Sequence, residues 1–187
     1  MLLLGTITYD YPRLRYCCCA LYFQWWRGLI VVVWGVAGSG KSTVAIELAR
    51  RLRCEMFDAD DFHPESNIKK MAAGRPLNDR DRQPWLTDLR RLVDQYHADE
   101  TAVLACSALK ASYRQTLGFE QSYVRSVLLT GDYELIANRL GHRHDHFMPA
   151  GLLRSQFETL DTAHSGLTLD VRPTSAELVD EIMRWLH

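Results

Sequence analysis

From Leu29 onward, apolar residues follow two alternating rhythms. The run Leu29-Ile30-Val31-Val32-Val33-Trp34 is unbroken and largely β-branched, which predicts a strand buried on both faces. Within 43–53, Val44, Ala45, Leu48, Ala49 and Leu52 recur three and four apart, the spacing of one helical face. The alternation then repeats. Strands are predicted at 55–58, 102–106, 124–129 and 167–171, and helices near 110–117, 133–140 and 149–160. A firmer helix is predicted from about Arg82 to Tyr96, with Leu86, Leu89, Leu92 and Val93 on its apolar side, and Pro84-Trp85 reads as its start. Gly74 and Pro76 interrupt a region of short helices before it, and Leu178, Val179, Ile182, Met183 and Leu186 line one side of a closing helix. Such alternation predicts an α/β fold of three layers, a parallel sheet of about five strands with helices on both faces. Ligands in these sheets bind at the carboxyl ends of the strands, so the residues that follow each strand carry the functional reading.

Residues 1–28 do not share this pattern. Met-Leu-Leu-Leu is apolar, but Asp10, Arg13 and Arg15 interrupt, and no basic start precedes an apolar core as in a cleaved signal. A membrane span over Tyr16–Trp34 would bury Gln24 and Arg27 and consume the first strand. The expectation is an accessory extension over 1–28 and one domain over 29–187. The chain's 187 residues suffice for one substantial core, and a formal net charge of −1 gives no electrostatic case for a nucleic-acid or membrane partner. The five cysteines form no C-x-x-C pair and no zinc spacing; Cys54 and Cys106 read as reduced core residues of a cytoplasmic protein.

The first strand runs into Gly35-Val36-Ala37-Gly38-Ser39-Gly40-Lys41-Ser42, which fits G-x-x-x-x-G-K-[ST] between a strand and a helix. Glycines let backbone N–H groups turn toward phosphate oxygens, and the helix start adds its partial positive charge. Residues 35–43, Thr43 included, are therefore expected to bind ATP, with Lys41 reaching the outer phosphates and the Ser42 hydroxyl ligating Mg²⁺. The second strand ends in Asp58-Ala59-Asp60-Asp61-Phe62-His63-Pro64. Three carboxylates beside a phosphate site call for a cation or a proton. Asp58 is assigned toward Mg²⁺ and Asp60 toward the hydroxyl being phosphorylated, with Asp61 the best candidate for capping the next helix. After the third strand, Lys110 and Arg114 lie four apart on one helical face, able to hold an anionic substrate. The charged run 78–82, Arg82 included, reads equally as a solvated face. A lid is expected at about 141–150, with Arg139 and Arg143 closing over the transferring phosphoryl group and excluding water. Zinc binding by His142, His144 and His146 is disfavoured, because no strand and no cysteine joins them.

Together these motifs resemble the gluconokinase family of P-loop kinases. The matching stretches are 35–42, 58–64, Asn67-Ile68-Lys69-Lys70-Met71, 74–86, Cys106-Ser107-Ala108-Leu109-Lys110 with Tyr113-Arg114, His146-Phe147-Met148-Pro149 and Ser155-Gln156-Phe157-Glu158-Thr159-Leu160. The resemblance covers about residue 30 to the end. It implies transfer of the ATP γ-phosphate to the 6-hydroxyl of D-gluconate, a core like that of shikimate and adenylate kinases, and commonly a homodimer. It implies that Asp60 and His63 face the sugar acid, and that Arg82, Lys110 and Arg114 anchor its hydroxyls and carboxylate. Three departures stand out: Ala59 in place of a usual glycine, Asp145 within the lid, and a shortened 161–165 segment. The alternatives are a shikimate-type kinase and a catalytically impaired nucleotide-binding paralogue. A GTPase is disfavoured, because no Asn-Lys-x-Asp block is present.

Overall fold

The structure is a computed structural model and describes residues 28–96, 100–141 and 150–187. Five parallel strands are present among them: β1 (Leu29–Trp34), β2 (Glu55–Asp58), β3 (Thr101–Cys106), β4 (Val124–Thr130) and β5 (Leu167–Asp170). They are ordered β2-β3-β1-β4-β5, so β1 sits at the centre. All six β1 residues are buried, as an unbroken apolar run requires when helices cover both faces. The period of two divides them. Val31 and Val33 join a core with helices α1 (Lys41–Leu52), α5 (Tyr133–Gly141), α6 (Ala150–Thr159) and α7 (Ser175–Leu186). Ile30, Val32 and Trp34 join the opposite core, built with α3 (Asp79–Gln95) and α4 (Ala111–Thr116). This is the expected three-layer arrangement.

Registers then fix the functional edge. Trp34 pairs with Cys106 and with Leu128, and Asp58 pairs with Ala105. The segments after β1, β2 and β3 therefore emerge side by side. The short-helix region resolves into a 3-10 turn, Ala59–Phe62, and α2 (Glu65–Ala72).

Two local expectations are corrected. Helix α3 begins at Asp79 rather than about Arg82, and Pro84 lies inside it instead of opening it. Asn78 accepts from the Asp81 N–H while the Asp81 carboxylate accepts from the Asn78 N–H, a capping box that holds the extra turn. Asp61 caps nothing: Asp58 caps the 3-10 turn by accepting from the Asp60 N–H, and α2 follows Pro64 with no side-chain cap. The extension 1–27, the cysteines at 17–19 and the lid stretch 142–149 lie outside the described residues. No helix among the described residues is long and apolar enough to cross a membrane.

Candidate active site

Helix α1 starts unlike α3 and α7. Those two carry capping boxes, whereas α1 follows Gly40 in the left-handed region (φ 91°) with no side-chain cap and no acidic residue in its first turn. The first N–H groups of a helix have no intrahelical acceptor, so this terminus suits an external anion. The loop before it is shaped for close approach. Gly35 has φ 143°, and a Cβ there would lie 2.4 Å from the Leu129 carbonyl oxygen. Gly38 (φ 79°) packs where a Cβ would lie 2.5 Å from Leu140 Cγ, so β4 and α5 both press on the loop. Lys41 Nζ donates to the Val36 carbonyl at 3.0 Å, folding its charge back along the loop.

The loop's N–H groups are not uniformly directed at a ligand. Gly35 N–H donates to the Ser107 carbonyl and Ser39 N–H to the Val36 carbonyl. Ala37 N–H donates to Oε1 of Gln156 on α6, at 2.7 Å. Ala37 thus departs from the expectation that each loop residue serves the nucleotide, and Ser39, only 1% exposed, turns its hydroxyl inward.

Ser42 Oγ donates to Asp58 Oδ2 at 2.7 Å, and Asp58 Oδ1 accepts from the Asp60 N–H at 3.1 Å. A hydroxyl and a carboxylate in contact beside a phosphate loop are hard oxygen donors of the kind Mg²⁺ takes. Buried Cys106, whose thiol burial pushes up to about 12, feels the charges of Asp60, Lys41 and Asp58. The register sets Asp58 beside Ala105 near the end of β3, and its carboxylate joins the Ser42 hydroxyl to the Asp60 N–H. Ala59, fully buried, accepts from Trp85 Nε1 at 2.6 Å, which ties the acidic turn to α3 and leaves Asp60 exposed. The absence of a glycine at 59 is accommodated there, because the position packs as core.

A second group of side chains forms beside this turn. His63 stacks on Trp85, with centroids 4.7 Å apart and planes within 12°. Burial, and then the charge of Arg82, push its imidazole down to about 4, so it is neutral at physiological pH. Arg82 donates to the Leu77 carbonyl at 2.6 Å and lies 5.8 Å from the centre of the Tyr113 ring. Lys110 Nζ lies 5.4 Å over the same ring and donates to Asp79 Oδ1 at 2.6 Å, and the Tyr113 hydroxyl donates to that same oxygen. Lys110 and Tyr113, and then the charge of Lys110 and Arg82, hold the Asp79 carboxyl below its usual range. The arrangement thus brings His63, Arg82 and Lys110 together and adds Asp79 and Tyr113. Buried Asn67 supports them by donating to the Asp81 carbonyl at 2.8 Å, and Lys70 pairs with the Asp81 carboxylate.

Arg114 and Arg139 require correction. Arg114 is only 4% exposed: its guanidinium donates to the carbonyls of Ala108, Leu109 and Ala163 and lies 4.5 Å over the Trp34 ring. With Asp161 at 3.5 Å, it fastens the ends of β1 and β3 to the 161–166 segment, so its guanidinium is engaged within the fold. His164 secures the same segment. Its Nδ1 accepts from the Gly166 N–H at 3.0 Å and lies 3.1 Å from Ser126 Oγ. Alanine at Arg114 removes the guanidinium from the Ala108 and Ala163 carbonyls, while Leu109 keeps only the Asp161 N–H, so it is expected to cost about 2–4 kcal/mol and lower Tm by roughly 5–15 °C. The KM of the phosphoryl acceptor is expected to stay within about twofold; an unchanged Tm in a thermal melt would return Arg114 to the anchor role. Arg139 donates to the Val171 carbonyl at 2.7 Å, so α5 carries it to the end of β5 rather than over the phosphate loop. Arg143 lies outside the described residues, as do the three lid histidines.

A family model described as "Shikimate kinase" matches residues 37–186. A "Probable gluconokinase" of Xenopus tropicalis is 39% identical over 173 residues, covering 82% of this chain and 91% of that protein. The crystal structure of a gluconokinase from Sinorhizobium meliloti 1021 superposes with a TM-score of 0.76 at 38% identity, covering 85% of this chain and 91% of that one. Shikimate kinase from Aquifex aeolicus shares the fold at a TM-score of 0.55, but at 19% identity, over 84% of this chain and 96% of that one.

Proposed function

We infer that this chain, which belongs to the gluconokinase family within the shikimate-kinase-like P-loop kinases, transfers the γ-phosphoryl group of ATP to the 6-hydroxyl of D-gluconate. The observation that carries the chemistry is the uncapped, glycine-fronted start of α1 with Lys41, Ser42, Asp58 and Asp60 gathered beside it. The relatives carry the choice of acceptor. One gluconokinase matches at 46% identity, against 19% for the shikimate kinase structure.

In this reading, Lys41 leaves the Val36 carbonyl to stabilise charge on the β- and γ-phosphates. Ser42 and Asp58 hold Mg²⁺, which when bound offsets phosphate charge. Asp60 accepts the proton of the 6-hydroxyl as that oxygen attacks, and neutral His63, braced on Trp85, hydrogen-bonds a sugar hydroxyl. Arg82 and Lys110 bind the substrate carboxylate, a group that can displace Asp79 from Lys110. Asp79 keeps the two cations from facing each other unscreened before substrate arrives.

An ADP-release assay over gluconate, shikimate and AMP tests the acceptor. Turnover is expected with gluconate and at most a few per cent of that rate with the others. Equal rates on shikimate would overturn the assignment. ATP binding without turnover of any sugar acid would favour the impaired-paralogue reading.

A further inference from the structure

We propose that Gln156 is a positioning residue for nucleotide binding: its side-chain carbonyl fixes the phosphate loop in shape while Lys41 changes partners. This rests on the assignment of the 35–42 loop to ATP. Within the loop, the Val36 carbonyl accepts both Lys41 Nζ and, more weakly at 3.3 Å, the Ser39 N–H. When Lys41 turns to a phosphate, Val36 loses the stronger of these bonds, just as charge arrives. The Ala37 N–H, bonded to Gln156 Oε1 at 2.7 Å across 119 positions of sequence, holds the next residue from outside the loop. The helix that carries Gln156 is anchored on both sides of it. One turn earlier on α6, Leu153 is buried in the core; the neighbouring Phe157 meets Tyr133 edge-on at 5.4 Å; and beyond the helix the Asp161 N–H donates to the Leu109 carbonyl at 3.0 Å. Gln156 thus links a helix tied to the segment after β3 with the segment between β1 and α1. A preformed loop binds the triphosphate without first having to be ordered, and this is where a single outside hydrogen bond raises affinity.

The test uses the full chain with Gln156→Met, which keeps length and packing but removes the acceptor, and Gln156→Ala beside it. The expected result is a five- to tenfold rise in the ATP KM for both, about the worth of one hydrogen bond. The gluconate KM is expected within about twofold of the parent, and the Gln156→Met melting temperature within about 3 °C. Calorimetric titration with Mg·ATP alone is expected to show the same loss, and it needs no sugar acid, so a failed gluconate assignment leaves this readout intact. Unchanged ATP affinity in Gln156→Met would overturn the proposal. So would a loss spread equally over both substrates, or a fallen melting temperature with no selective ATP effect, because either marks a merely structural contact.

Discussion

Replacing Lys41 with alanine is expected to lower kcat for gluconate phosphorylation by about 10³-fold or more, with Tm within about 2 °C of the parent. The size follows from phosphoryl transfer, in which the protein contributes positioning and charge stabilisation more than covalent chemistry. Removing one preorganised donor from such a site typically costs about 3–4 kcal/mol, close to three powers of ten. The fold is expected to survive, because the Lys41 side chain is half-buried and donates to a loop carbonyl that Ser39 also meets. Arginine is not expected to rescue, because its larger planar head does not fit where a compact ammonium folds along the loop. Coupled detection of ADP and a thermal melt measure both quantities. Activity within tenfold of the parent would remove Lys41 from the reaction.

What could be read from the sequence, and what could not, divides by range. Strand β1, the glycine loop and α1 were legible because each depends on near neighbours: an unbroken apolar run, a fixed motif, a period of 3.6. The alternation of the remaining elements gave the parallel sheet for the same reason. Helix α3 was misjudged at its start because a proline is a louder signal than Asn78 and Asp81, whose reciprocal bonds are visible only once both ends are in place. Arg114 was misassigned because charge and spacing suggest exposure. Its burial depends on Ala163, 49 positions away, and on the Trp34 ring beneath it. Gln156 carries no charge and sits in no phosphate motif, and only the folded chain brings it to Ala37. Asp79 was legible as charge but not as the partner of Lys110 and Tyr113, since those contacts join the start of α3 to the start of α4.

The two acidic groups at the end of β2 make separable contributions, and Asp60→Asn distinguishes them. The 3-10 turn is held from both sides: Trp85 donates to the Ala59 carbonyl, and Asp58 accepts from the Asp60 N–H. That N–H is main chain, so asparagine at position 60 keeps it, and the turn is expected to stay folded. What is lost is a carboxylate able to take the proton of the attacking hydroxyl, worth roughly 10²–10⁴ in rate for a general base. A fall of about 10²- to 10³-fold in kcat is therefore expected, with the ATP KM within about threefold. Asp58→Asn is expected to act differently, because it disturbs the carboxylate paired with Ser42, and its defect is expected to shrink as Mg²⁺ is raised. Steady-state kinetics at two Mg²⁺ concentrations compare the pair. If the Asp60→Asn defect is the one that added Mg²⁺ relieves, Asp60 belongs to the metal and the proton must leave by another route.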